Sequence, residues 1–257
     1  MKWLPLLLVV LLASCVSNDR IRQALIEDPT ILTDAVEKHP VEFLTALQKA
    51  SQLAQRDMME QQRKKEEEEF KAAFDHPLNP RLEGEVFFGP ADAPLVLVMY
   101  SDFQCPYCSR GHKTANEFIN NYKGKVKFYY KHLPLDFHDM AKISSHYYEA
   151  IKMQDLQKAG KFMDTLYANQ DKLGKDKEAF LKATAKKLGV NMKKLATDIN
   201  SEEIANKIKR DASEASEFGM QGTPGFLLNG VPIRGAYPLS QFQKIVEELQ
   251  KRGKISL

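Results

Sequence analysis

Leu95-Val96-Leu97-Val98-Met99-Tyr100 runs straight into Ser101-Asp102-Phe103-Gln104-Cys105-Pro106-Tyr107-Cys108, and the fold is read from this junction. An unbroken apolar run of this length fits a strand buried on both faces. The cysteines then open a helix that extends from near Cys105 to Tyr122 and ends at Gly124. The first turn of a helix leaves backbone N–H groups unpaired and carries the positive end of the dipole. Both favour a thiolate, so Cys105 is expected to be acidified and nucleophilic. Pro106 starts the helix without removing a needed donor. Cys108, one turn on, lies on the same face and can resolve a mixed disulfide formed at Cys105. Three other readings compete. A static disulfide would remove little chain entropy over so short a loop. A zinc site using His112 lacks a second C-x-x-C or paired histidines to complete four ligands. The third is a chance C-x-x-C.

Working outward, Lys125 to Lys131 (K-V-K-F-Y-Y-K) is β-branched and aromatic enough for a second strand. From about His138 to Phe218 the chain reads as helix, broken near Gly174 and Gly189. Phe226 to Ile233 reads as a hairpin turning at Asn229-Gly230. Gln241 to Arg252 closes as an amphipathic helix stopped at Gly253. The order β-α-β, helical block, β-β-α is an α/β pattern with a large insertion.

Upstream, Pro77, Pro80, Pro90 and Pro94 mark His76 to Pro94 as a linker and domain entry, with Val86-Phe87-Phe88 as a short edge strand. Asn18 to about Phe74 contains no glycine and reads as helix. Pro29 and Pro40, 11 residues apart, each suit the first turn of a short helix. Val41, Leu44, Leu47 and then Leu53 are read as one apolar stripe, before a charged run from Arg63 to Glu69. This segment is either a spacer or an oligomerisation arm.

At the start of the chain, Lys2, the apolar run Leu4 to Leu12 and Leu12-Ala13-Ser14-Cys15 have the order of a secretory signal. The run is far short of the ~20 apolar residues that span a bilayer. Its ending resembles the lipobox of bacterial lipoproteins. That resemblance implies a signal over residues 1–14 and lipidation of Cys15, with Val16 in place of Asp favouring the outer membrane. The other reading is an ordinary cleaved signal.

Composition excludes several classes. The 257 residues are 43% hydrophobic, which suits a packed globular protein rather than a disordered one. With 37 basic and 34 acidic residues, charge gives no support to nucleic-acid binding. Three cysteines cannot form a multi-disulfide scaffold.

Gly222-Thr223-Pro224-Gly225, just before Phe226-Leu227-Leu228-Asn229-Gly230, completes the pattern. Together with Ser101 to Cys108 it resembles the DsbA-type branch of the thioredoxin superfamily, in particular DsbA-like and ScsC-like thiol-disulfide oxidoreductases. The likeness covers roughly Glu85 to Leu257. Pro224 follows Cys105 by 119 residues, far more than a compact thioredoxin needs. The resemblance implies a thioredoxin fold over residues 77–257 with an inserted helical domain at about 138–218, preceded by a helical arm over residues 15–76. It also implies a redox-cycling Cys105–Cys108 disulfide, with no metal and no organic cofactor. Thr223-Pro224 would be the cis-proline loop facing the dithiol, offering the Thr223 backbone to an extended client strand. An ordinary turn proline is the other reading.

Implied partners are exported cysteine-containing proteins and a membrane redox partner, oxidase or reductase, on the periplasmic side of a bacterial envelope. Homo-oligomers through residues 18–74 are also expected. Relatives often carry a buried acid six positions before the first cysteine, where this chain has Met99. Asp102 is the nearest carboxylate and either relays protons or caps the loop. Lys131 and Glu149 are further candidates. Whether the pair oxidises, isomerises or reduces stays open. A non-enzymatic envelope lipoprotein that uses the scaffold to hold a partner or copper is the alternative function.

Overall fold

The computed structural model describes residues 18–85 and 88–257. The signal and lipidation readings, Cys15 included, and Val86 and Phe87 of the expected edge strand lie outside the described residues. The chain divides into two compact units, the first reaching Glu66 and the second running from Glu67 to Leu257.

The first unit is helical: α1 (Asn18–Glu27), α2 (Thr30–Lys38) and most of α3 (Pro40–Asp75). Pro29 caps α2 and Pro40 begins α3, but α3 has 36 residues and is not the short helix expected. No residue of α2 is buried, and the one buried residue of α3 is Phe74. At ~100° per residue, Phe43, Leu44, Leu47 and Met58 share one side of α3, while Leu53 lies on the opposite side. The expected stripe through Leu53 is corrected accordingly. All five are exposed.

The last turns of α3 belong to the second unit, so the boundary falls near Glu66 rather than His76. Phe74 is the cause: it is 1% exposed, meets Phe70 edge to face, and lies beneath the Arg252 guanidinium, which also pairs with Asp75 at 2.8 Å. Beyond it the linker packs on the sheet rather than hanging free. Leu78 N–H donates to Gly230 O at 2.9 Å, and Phe88 bridges to Phe128 at the sheet edge.

The second unit is built on β1 (Leu95–Ser101), β2 (Val126–His132), β3 (Gly225–Leu228) and β4 (Val231–Arg234), in the order β2-β1-β3-β4. β1 pairs parallel with β2 through the crossover helix α4 (Pro106–Asn121), and antiparallel with β3. Alternation along β1 divides the core. Leu95, Leu97 and Met99 face the larger cluster with Cys108, Phe118 and Phe242, while Val98 and Tyr100 face the smaller one with Ala215, Met220 and Leu227. The β3–β4 turn has Asn229 and Gly230 both at positive φ (48° and 84°), as Asn-Gly predicts. α10 (Leu239–Lys251) buries Phe242, Ile245, Val246 and Leu249.

Between β2 and β3 lie α5 (Ala141–Lys152), α6 (Leu156–Ala168), α7 (Gln170–Lys187), α8 (Met192–Asp198) and α9 (Glu202–Glu217). The break expected near Gly174 sits at Lys177 instead, where φ is 49°, and Gly174 stays helical. The break expected near Gly189 lies there, between α7 and α8, with Gly189 at φ 67°. The breaks before α6 and α9 carry no glycine. They are set by side-chain caps, Asp155 accepting from Gln157 N and Lys158 N and Ser201 from Ile204 N.

Candidate active site

β1 ends at Ser101, and four residues later Cys105 takes the N-cap of α4 with φ −72° and ψ 123°. Its carbonyl accepts from Cys108 N–H and Ser109 N–H at 3.0 and 3.3 Å. Pro106 opens the helix, where its missing donor costs nothing. Cys105 is 4% exposed and Cys108 fully buried. Both are thiols here, the reduced end of the couple that the sequence reading joins as a disulfide. Tyr107 projects outward with the Arg110 guanidinium 4.5 Å above its ring.

Thr223-Pro224 is a cis peptide and faces the pair, with the Cys105 thiol 3.6 Å from the Thr223 carbonyl oxygen. Contact between the loop and α4 depends on Gly111. A Cβ there would meet Pro224 Cγ at 2.8 Å and Phe226 Cζ at 3.1 Å. A glycine in mid-helix costs ~1 kcal/mol against alanine, and here it admits the proline ring. Gly111→Ala is therefore expected to destabilise the protein by ~1–3 kcal/mol through overpacking. Thermal melting checks this, and an unchanged or raised midpoint contradicts it.

The two sulfurs are driven apart electrostatically. The Cys108 thiol donates to Cys105, and although burial opposes ionisation, the Thr223 hydroxyl and the N–H groups of Cys108 and Tyr107 also favour the thiolate; Cys105 is lowered to about 5. Burial, then the neighbouring Cys105 charge, push the Cys108 thiol far up. A sulfur favoured as the thiolate at neutral pH thus sits beside a more deeply buried partner that stays protonated.

Asp102 is fully buried, and its carboxylate caps the loop. Oδ1 accepts from Gln104 N–H at 2.7 Å, and Oδ2 from Leu135 N–H and His138 Nδ1, each at 2.8 Å. Its contact with the dithiol is through the backbone, with Asp102 N–H donating to Cys108 Sγ at 3.4 Å. Lys131 alternates to the other face of the sheet, where it donates to Glu214 at 2.5 Å beside Tyr100. For Glu149, burial would raise the carboxyl, but His132, Lys152 and Lys207 outweigh it and hold it at about 2. Its partners are His132 Nε2 and Lys152 Nζ. His112 Nε2 pairs with Asp164 at 2.7 Å and its ring lies on Tyr167, which makes it a packed helix residue. Among the described residues no three His, Cys, Asp or Glu side chains converge as a metal would require.

Several contributors escape a motif search. Gln170, at the start of α7, donates from Nε2 to the carbonyls of Phe103 (2.9 Å) and Cys105 (2.8 Å), clamping the loop from the inserted block. Ser101, Tyr167 and Tyr130 form a buried hydroxyl chain beside Cys108. Their order along the sequence (β1, β2, α6) offers no local signal that they meet.

A family model described as Thioredoxin matches residues 81–248, which take in the dithiol, the inserted helices and the cis-proline loop. The chain belongs to the thioredoxin family. Among curated relatives, the probable disulfide bond formation protein D of Bacillus anthracis is 30% identical over 151 residues, covering 55% of this chain and 68% of that protein. The Na(+)/H(+) antiporter NhaA 3 of Salinispora tropica is 31% identical over 162 residues, covering 62% of this chain. This chain spans about a quarter (24%) of that antiporter's length. Of solved structures, BdbD from Bacillus subtilis shares the fold at TM-score 0.59 and 20% identity, covering 68% of this chain and 97% of that one. The catalytic domain of Proteus mirabilis ScsC does so at TM-score 0.56 and 20% identity, covering 70% and 96%. This member of the thioredoxin family therefore has the DsbA-like architecture that Ser101–Cys108 and Thr223–Pro224 imply, with its helices inserted between β2 and β3.

Proposed function

We propose that this protein is a thiol-disulfide oxidoreductase that forms or rearranges disulfides in exported proteins through Cys105 and Cys108. The observation that carries the reading is an acidified Cys105 held against the Thr223 carbonyl, with its partner buried behind it. In the oxidising direction a client thiolate attacks Cys105 Sγ of the disulfide, and the S–S electron pair leaves on Cys108. A second client thiolate then attacks the client sulfur of the mixed disulfide and releases Cys105 as a thiolate. The client loses two electrons and the enzyme gains them. The first proton, released to water by the client thiol, is recovered by Cys108.

Stabilising the reduced thiolate makes a disulfide more oxidising, so the low Cys105 value supports donation. A membrane oxidase would then restore the disulfide. Equilibration of the pair with defined glutathione ratios tests the reading. A midpoint near about −120 mV marks a disulfide donor, one near about −270 mV a reductant, and failure to exchange at all overturns the function.

The exposed apolar residues of α3 support an oligomer, which suits the isomerising direction by setting several dithiols around one client. A row that includes Phe43, Leu44, Leu47 and Met58 is the kind of surface another copy covers. Sedimentation of the full chain is expected to give more than the monomer mass, and a monomer at micromolar concentration would remove this support. Export, with Cys15 as lipid attachment point and the outer membrane favoured, completes the proposal. No described helix is long and apolar enough to cross a membrane.

A further inference from the structure

The oxidising step leaves its electron pair on Cys108, a fully buried sulfur. Met99 of β1, in the same core cluster, can neither share a charge nor move a proton. The fold supplies hydroxyls instead. Ser101, at the end of β1, favours the charged form of Cys108. Its Oγ lies 2.7 Å from Tyr167 Oη, and Tyr167 Oη lies 2.9 Å from Tyr130 Oη. All three side chains are buried, and Phe103 packs against both tyrosine rings at 5.2 and 5.3 Å. Burial first, and then neighbouring charge such as that of Cys108, push both tyrosines well up, so each stays a protonated donor. The backbone N–H of Asp102 completes the set at 3.4 Å from the sulfur.

Resting on the thiol-disulfide reading above, we propose that Ser101, backed by Tyr167 and Tyr130, stabilises the Cys108 thiolate as it leaves. Either hydroxyl of each pair can donate; in the proposed arrangement Tyr130 donates to Tyr167 and Tyr167 to Ser101, which frees the Ser101 proton for Cys108 Sγ. Each hydroxyl polarises the next, and in a site closed to water such a chain is stronger than its separate bonds. Ser101 is the proposed donor to the reacting sulfur, while the tyrosines are positioning residues. The device acts on the transition state, because Cys108 is a neutral thiol once the reaction is over. It therefore changes rate and not equilibrium, as a donor aimed at developing charge does.

Single-turnover oxidation of a two-cysteine peptide by the Cys105–Cys108 disulfide tests this, alongside the glutathione equilibrium of each variant. Ser101→Ala is expected to slow the first attack by ~10²-fold, as loss of one such donor does, and Tyr167→Phe by ~10-fold. The glutathione equilibrium should stay that of the unmodified protein. Tyr167→Phe keeps the ring and tests the chain even where Ser101→Ala folds poorly. Rates within twofold of the unmodified protein overturn the proposal, as does a fall in rate matched by an equal shift in the equilibrium. If the unmodified protein does not oxidise the peptide at all, the thiol-disulfide reading fails first and this one with it.

Discussion

Cys105→Ser is expected to lower peptide oxidation by about a thousandfold or more, as loss of a covalent nucleophile does. Cys108→Ser should instead form a mixed disulfide with the client and accumulate it. The asymmetry follows from the site. Cys105 alone of the pair is favoured as the thiolate, and it faces the Thr223 carbonyl, where an extended client strand would run. Cys108 has no exposed surface and is protonated, so its part is to leave or to resolve. Without it a client bound to Cys105 has no internal route of escape. Mass spectrometry of each variant after incubation with an oxidised peptide checks both statements. The adduct should be abundant on Cys108→Ser and absent from Cys105→Ser. Equal adducts on both would break the assignment of roles. Unchanged behaviour of Cys105→Ser in a cellular assay would favour a scaffold that holds a partner or copper.

How much was legible beforehand depended on whether the signal was local. Strand β1 and helix α4 were readable because six apolar residues meet a dithiol and a proline in one continuous stretch. The β3–β4 hairpin was readable because Asn229-Gly230 states its own turn. Asp102 was ambiguous because relay and cap need the same residue, and only the positions of Gln104, Leu135 and His138 show how its oxygens are engaged. Misplaced features were those decided at a distance. The Glu66 boundary depends on Phe74 meeting Arg252 from the opposite end of the second unit. Leu53 leaves the stripe because ~100° per residue carries it to the far side of α3 by the third turn after Val41. Gln170 and Tyr167 were invisible because a clamp supplied by an inserted helix leaves no trace beside the residues it clamps.

The reduced protein is expected to gain stability over the oxidised protein as pH rises from 5 to 9. A cysteine in the unfolded chain titrates near 9, whereas in the folded protein Cys105 is lowered to about 5. Between those values the unfolded chain holds a proton that the folded one has shed. Stability of the reduced form therefore climbs by at most ~1.4 kcal/mol per pH unit, and is lost as pH falls through 5. Cys108, raised by burial and by the Cys105 charge, is protonated in both states below 9. It contributes nothing in this window, and above it works against the folded reduced form. Glu149, held at about 2, is common to both redox forms and cancels. The oxidised form has no thiols, so the difference between the two melting midpoints isolates the pair. A flat or falling difference between pH 5 and 8 would remove the thiolate from Cys105. The same proton count governs the redox couple. With Cys105 charged, reduction takes up one proton rather than two, so the midpoint should move by ~30 mV per pH unit instead of ~59. A slope near the larger value would mean that Cys105 is an ordinary thiol, and would undo the oxidising direction along with it.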